Sequence, residues 1–145
     1  MKNSNLFNIA TLAVAASAAI HLKDAEGTSL LHNEAGEPLR IRLHSPGSKA
    51  FGAVEARQSA RAVKRMNDND GKIATATADE RVQETAEDLA DVTIGFEGFT
   101  YGDGSLQGRE LFLALYADQS LGFITRQVIK ALGDWGKFKA ASAAA

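Results

Sequence analysis

The apolar positions change period along the chain, and each change marks an element. Between Ala19 and Leu43 they alternate. Ile20-His21-Leu22 and Leu39-Arg40-Ile41-Arg42-Leu43 send every second side chain to one face, with Gly27 and Gly36 as punctuation between them. This predicts two or three antiparallel strands, Asn33-Glu34-Ala35-Gly36 as a turn, Leu39, Ile41 and Leu43 facing inward, and Arg40 and Arg42 facing water. Ser45-Pro46-Gly47-Ser48 ends the strands and starts a helix over roughly 49–67. After the loop Asp68-Asn69-Asp70-Gly71-Lys72, Thr77-Ala78-Asp79-Glu80 reads as a capping box. The helix behind it, to about Asp91, buries Val82, Thr85, Ala86, Leu89 and Ala90 and turns Glu84, Glu87, Asp88 and Asp91 outward. Val92 to Phe96 alternates as a strand, and Phe99-Thr100-Tyr101 is a candidate to pair back across Glu97-Gly98.

From Leu106 to Lys139 the period is helical, and apolar side chains are dense. Two helices meet at Asp118-Gln119-Ser120. The first carries Leu111, Phe112, Leu113, Ala114, Leu115 and Tyr116 around almost its whole circumference, so it must be covered on several sides, by its own domain or by a partner. On the second, Leu121, Ile124, Val128, Leu132 and Trp135 fall within an arc of about 80°, a core stripe, while Phe123 points the other way among Arg126, Lys130 and Asp134. The fold class that follows is α+β: a small antiparallel sheet of two to four strands packed with four to five helices. The chain divides into an N-terminal helical segment over 1–18, a single α+β domain over 19–139, and a disordered Ala-rich tail over 140–145.

The N-terminal segment supports two readings. Lys2, the apolar run Leu6 to Val14 and the small residues Ala15 to Ala19 resemble a bacterial signal peptide, and the run is too short to span a bilayer. Against secretion, Lys2 is the single charge of the leader, and Asn8 and Thr11 dilute its apolar part. The rival reading is a short helix, Leu6 to Ala16, docked on the domain.

Composition narrows the chemistry. The 145 residues are long enough for a real core, and the net charge of −2 gives no general drive toward nucleic acid or anionic membrane. With no cysteine, disulfides, thiol catalysis and thiolate metal sites are excluded. Asp68, Asp70 and Gly71 fit the middle of a calcium loop, but Met66 and Thr77 stand where its closing carboxylates belong, so the segment reads as a turn. His21, His32 and His44 lack metal-ligand spacing, and the carboxylates around Asp79 to Asp88 read as a solvated helix face. The chain carries no nucleophile elbow, P-loop or dinucleotide fingerprint. We therefore expect no enzymatic activity, no metal and no cofactor. Arg57, Arg61, Lys64 and Arg65 form a basic stripe on the first long helix; it can pair with the acidic second helix or with a separate partner.

The segments Leu115-Tyr116-Ala117-Asp118, Leu121-Gly122-Phe123-Ile124, Gln127-Val128, Ala131-Leu132-Gly133-Asp134 and Gly136-Lys137-Phe138 together resemble the C-terminal signature of tail assembly chaperones from long-tailed bacteriophages and prophages. Leu22-Lys23-Asp24, Glu37-Pro38-Leu39, the helix start at Ser45 to Ser48 and the Arg-rich helix are similar in outline, so the likeness runs from about residue 6 to 139. It implies a non-enzymatic protein of the host bacterial cytoplasm. Such a protein binds the tape measure protein, keeps it soluble while tail tube subunits assemble, touches neither nucleic acid nor membrane, and is open to homo-oligomerisation. It also favours the helical reading of residues 1–18. Leu111, Leu115, Tyr116, Phe123, Trp135 and Phe138 would supply the apolar part of the partner surface, with Arg126 and Lys130 as its polar rim; plain core is the alternative for Leu111 to Tyr116. Two other functions stay open: a structural tail subunit of the virion (tail tube or tail completion protein), and a secreted small domain if residues 1–19 are a signal peptide.

Overall fold

The computed structural model describes residues 5–140, and it has the expected α+β architecture. Three strands, β1 (Ser17–His21), β2 (Arg40–His44) and β3 (Thr93–Glu97), form an antiparallel sheet in the order β1-β2-β3. Four helices accompany it: α1 (Lys49–Asp68), α2 (Ala78–Val92), α3 (Gly108–Ala117) and α4 (Gly122–Leu132). Short 3-10 turns lie at Ile9–Leu12, Gln119–Leu121 and Trp135–Phe138.

The alternation in β2 does what its sequence predicts. Ile41 and Leu43 are fully buried, and their cross-strand partners Ile20, Ala18 and Phe96 share the core face. Arg40 and Arg42 lie on the opposite face, where both meet Glu97 of β3, the tighter contact being Arg42 Nε at 3.0 Å. A bulge between Arg42 and Leu43 shifts the β2–β3 register.

Between β1 and β2 the chain forms an extended excursion rather than a regular third strand, held by isolated bridges at Lys23–Leu30 and His32–Pro38. The expected turn closes on Asn33, whose side-chain oxygen accepts from the backbone N–H of Ala35 and Glu37.

Helix starts follow local chemistry. Ser48 caps α1 by accepting from Phe51 N, and Thr77 with Glu80 forms the reciprocal capping box of α2. The turn between them sets Asp70 at φ 55° and Gly71 at φ 78°, so the segment that mimics the middle of a calcium loop turns the chain there.

The segment after β3 does not pair back as a strand. Gly98 sits at φ 85°, where an added Cβ would stand 2.5 Å from the carbonyl oxygen of Pro38. Phe99 then stacks on Phe96 with centroids 4.7 Å apart, and Tyr101 donates its hydroxyl to Asp118 Oδ2 at 2.8 Å. Side-chain packing takes the place of a hairpin.

The N-terminal helix docked on the domain is also corrected. Among its described residues the segment forms one 3-10 turn, Ile9–Leu12, and Leu6, Phe7, Ile9 and Leu12 are each more than 60% exposed. The chain joins the domain at Val14 to Ser17: Ala15 N donates to Phe138 O at 2.8 Å, and Ser45 N donates to Ala16 O at 2.9 Å. Residues 1–4, with the leader charge Lys2, lie outside the described residues, as does the Ala-rich tail beyond Ala140.

Candidate functional site

The sequence assigns both core and partner surface to the C-terminal helices, and burial separates the two. In α3, Phe112, Leu115 and Tyr116 are buried, packed against α2 and β3. Tyr116 is fixed by a hydroxyl pair with Thr93 at 2.8 Å, and burial pushes its phenol pKa upward. Leu111 is half-buried against the same core. Leu115 and Tyr116 are thus core residues and leave the expected partner surface, because α2 and β3 enclose the inner side of α3.

Phe138 leaves it too. Beyond Leu132 the helix stops at Gly133, and Asp134 caps a 3-10 turn by accepting from Gly136 N at 3.1 Å. That change of period carries Phe138 inward to complete burial and swings Trp135 outward to 54% exposure. The helical stripe therefore ends at Leu132. Trp135, predicted as its last member, sits beside Gly47 instead, its ring 3.4 Å from where a Cβ on that glycine would stand.

Phe123, Arg126, Lys130 and Trp135 remain accessible. Phe123 lies on the side of α4 opposite Ile124 and Val128, as predicted, yet it is half-buried and packs against the edge of the core. Arg126 and Lys130 are exposed, and neither forms an ion pair among the described residues. With Lys23 and Lys137 they line a cleft of about 400 Å³ whose apolar wall includes Phe123 and Ile20.

A long-range contact builds this cleft. The Gln127 amide donates from Nε2 to Lys23 O at 2.9 Å and accepts at Oε1 from Lys23 N at 2.8 Å, fixing the loop after β1 onto α4. The sequence gives no sign of it, because the partners are 104 positions apart.

On the other flank of α4 lies an apolar groove of about 350 Å³, walled by Phe51, Val54, Leu89, Ile129 and Leu132. Ile129 is 48% exposed at its rim. No charge or motif marks Ile129 in the sequence, although its helical angle places it outside the core stripe.

The basic stripe of α1 is not part of this surface. It faces α2: Arg57 reaches Asp88 and Asp91, Arg61 reaches Asp88 and Glu87, and Arg65 reaches Glu84. Of the two arrangements open to it, its three arginines take the internal one, while Lys64 stays exposed and pairs with Asp68 of its own helix. The acidic side of α2 is correspondingly no solvated face, since the Asp88 side chain is only 10% exposed. Asp91 also accepts from Arg109 Nε at 2.7 Å, and the two guanidinium neighbours, Arg109 first, hold its carboxyl below the usual range.

Two histidines, His21 and His32, meet edge to face at 4.9 Å, and His21 Nε2 hydrogen-bonds Leu31 O at 2.8 Å. Among the described residues no group of three or more His, Cys, Asp or Glu is placed to hold a metal ion, and no helix is long and apolar enough to cross a membrane. No protein-family model matches the chain, and comparison with curated proteins and with solved structures finds no match.

Proposed function

We propose that this chain is a non-enzymatic tail assembly chaperone of a long-tailed phage or prophage. It works in the host bacterial cytoplasm by binding the tape measure protein reversibly and supporting tail tube assembly. One observation carries this reading: the segment with the family-like signature folds with apolar and cationic side chains left exposed on its outward side. Ile129 stands about half exposed at the rim of an apolar groove, Trp135 is about half exposed beyond the end of α4, and Phe123, Arg126 and Lys130 line the cleft on the opposite flank of that helix. A protein that holds an amphipathic helix needs such a surface, an apolar channel rimmed by charge from which the client can later be displaced.

Co-expression with the tape measure protein of the same phage tests the reading. The expected result is a soluble client that co-purifies with this chain, and a weaker association when Trp135→Ala and Ile129→Ser are combined with no change in thermal stability. An equally insoluble client with and without the protein overturns it. Finding the chain as a stoichiometric component of purified particles would point instead to a structural tail subunit.

A further inference from the structure

The cleft on the Phe123 side of α4 has a chemistry of its own. Four cations from three elements converge on it: Lys23 from the loop after β1, Arg126 and Lys130 from α4, and Lys137 from the C-terminal 3-10 turn. None of them meets a carboxylate within 4.0 Å among the described residues. The one carboxylate in the wall, Asp24, is already engaged, its Oδ1 accepting from Thr28 N at 3.0 Å and Ser29 N at 3.3 Å.

The contrast with α1 sharpens the point. There three arginines in a row are neutralised by α2, whereas here an excess of positive charge is held together in a chain of net charge −2. The Gln127–Lys23 clamp makes the convergence fixed rather than accidental, because it ties the Lys23 backbone to the helix that carries Arg126 and Lys130.

We infer that this cleft is the docking site for an acidic, amphipathic peptide segment, whose carboxylates meet the four cations and whose apolar side chain packs on Phe123. The inference rests on the chaperone reading and specifies the client segment it would hold. Charge complementarity selects carboxylates. Phe123 in the wall favours a peptide over a bare anion, which has nothing to place against an aromatic ring. Exposed pairs of this kind contribute modestly one by one, so preference for the right segment comes from their number and fixed spacing.

The test uses the full chain and two labelled helical peptides built from Ala and Leu on one face, with Glu on the other face in the first and Gln in the second. Fluorescence anisotropy at about 0.05 M salt should show the Glu peptide binding roughly tenfold tighter, with the advantage shrinking at about 0.3 M as screening grows. Arg126→Gln combined with Lys130→Gln should remove at least half of the advantage on a logarithmic scale while leaving the thermal midpoint unchanged. Equal binding of both peptides overturns the proposal, as does a preference that survives the double substitution or a duplex DNA or inorganic phosphate that binds as well as the Glu peptide. No acidic preference in the unsubstituted chain, with the client still solubilised on co-expression, would sink this inference and leave the chaperone reading standing. An insoluble client would sink the chaperone reading itself.

Discussion

Arg57 and Asp88 join the two long helices through a two-pronged contact, in which Nε and Nη2 of the guanidinium donate to one carboxylate oxygen at 3.2 and 2.7 Å. The same carboxylate accepts from Arg61 Nη1 at 2.8 and 2.9 Å and from Gln58 Nε2 at 3.0 Å. Asp88 is therefore the hub of the α1–α2 interface, almost closed to water, and each arginine keeps a second carboxylate at its outer edge: Asp91 for Arg57 and Glu87 for Arg61.

Removing the hub leaves two guanidinium groups short of a partner in a partly dry interface. Asp88→Ala is expected to cost about 2–4 kcal/mol, and Asp88→Asn somewhat less, because the amide still accepts one of the bonds. Lys64→Ala, which breaks the fully solvated Lys64–Asp68 pair, should change stability by less than about 0.5 kcal/mol. Urea unfolding of the three variants decides the matter. If Asp88→Ala is as mild as Lys64→Ala, the network is surface decoration.

The same interface predicts a direction with pH. The Asp91 carboxyl is held below its ordinary value of 3.8 by Arg109 and Arg57, so the folded state binds a proton there less readily than the unfolded chain. A depressed folded pKa contributes stability that is fully present above the unfolded value. It fades as pH falls from about 5 through that value toward the lower folded one. Unfolding free energy should thus be flat across neutral pH and decline below about pH 5, and Arg109→Gln should shrink the decline. Stability that rises on acidification would contradict the assignment.

How much of this could be read from residues alone varies with the range of the interaction. The α+β class, the capping box at Thr77, the inward faces of β2 and α2, and the junction at Asp118 were legible because each depends on neighbours within one or two turns. The fate of Leu115, Tyr116 and Phe138 was not, since an all-round apolar helix does not reveal what covers it, and a 3-10 turn reverses the helical angles of Trp135 and Phe138. The α1–α2 pairing was one of two arrangements the charges allowed. The Gln127–Lys23 clamp had no local sign at all.

Thr93 and Tyr116 give a test of hydrogen-bond direction. The Thr93 hydroxyl donates its only proton to Leu89 O at 2.7 Å, so its 2.8 Å contact with Tyr116 must have the phenol as donor. Tyr116→Phe removes that donor and leaves an oxygen still bonded to Leu89, a loss of about 1 kcal/mol. Thr93→Val strands the buried phenol proton and the Leu89 carbonyl together and should cost about 2–3 kcal/mol. Chemical denaturation of both variants ranks them; the reverse order would mean that the phenol accepts.

Phe138 and Trp135, three positions apart and both aromatic, should behave as opposites. Phe138 is fully buried, and its carbonyl accepts the bond that fastens Ala15 to the domain. Its truncation opens a cavity at the point where the C-terminal turn meets β1. Phe138→Ala is expected to lower stability by about 3–5 kcal/mol, in the range of large aromatic deletions from cores. Trp135 keeps more than half its surface in water and touches Gly47 with one edge, so Trp135→Ala should stay within about 1 kcal/mol. Client association should respond the other way: on the proposed function Trp135→Ala weakens it at unchanged stability, whereas a Phe138 substitution acts on it only through folding. Thermal midpoints measured alongside client pull-down separate the two effects. A Trp135→Ala protein that unfolds like Phe138→Ala would return Trp135 to the core and remove it from the binding surface.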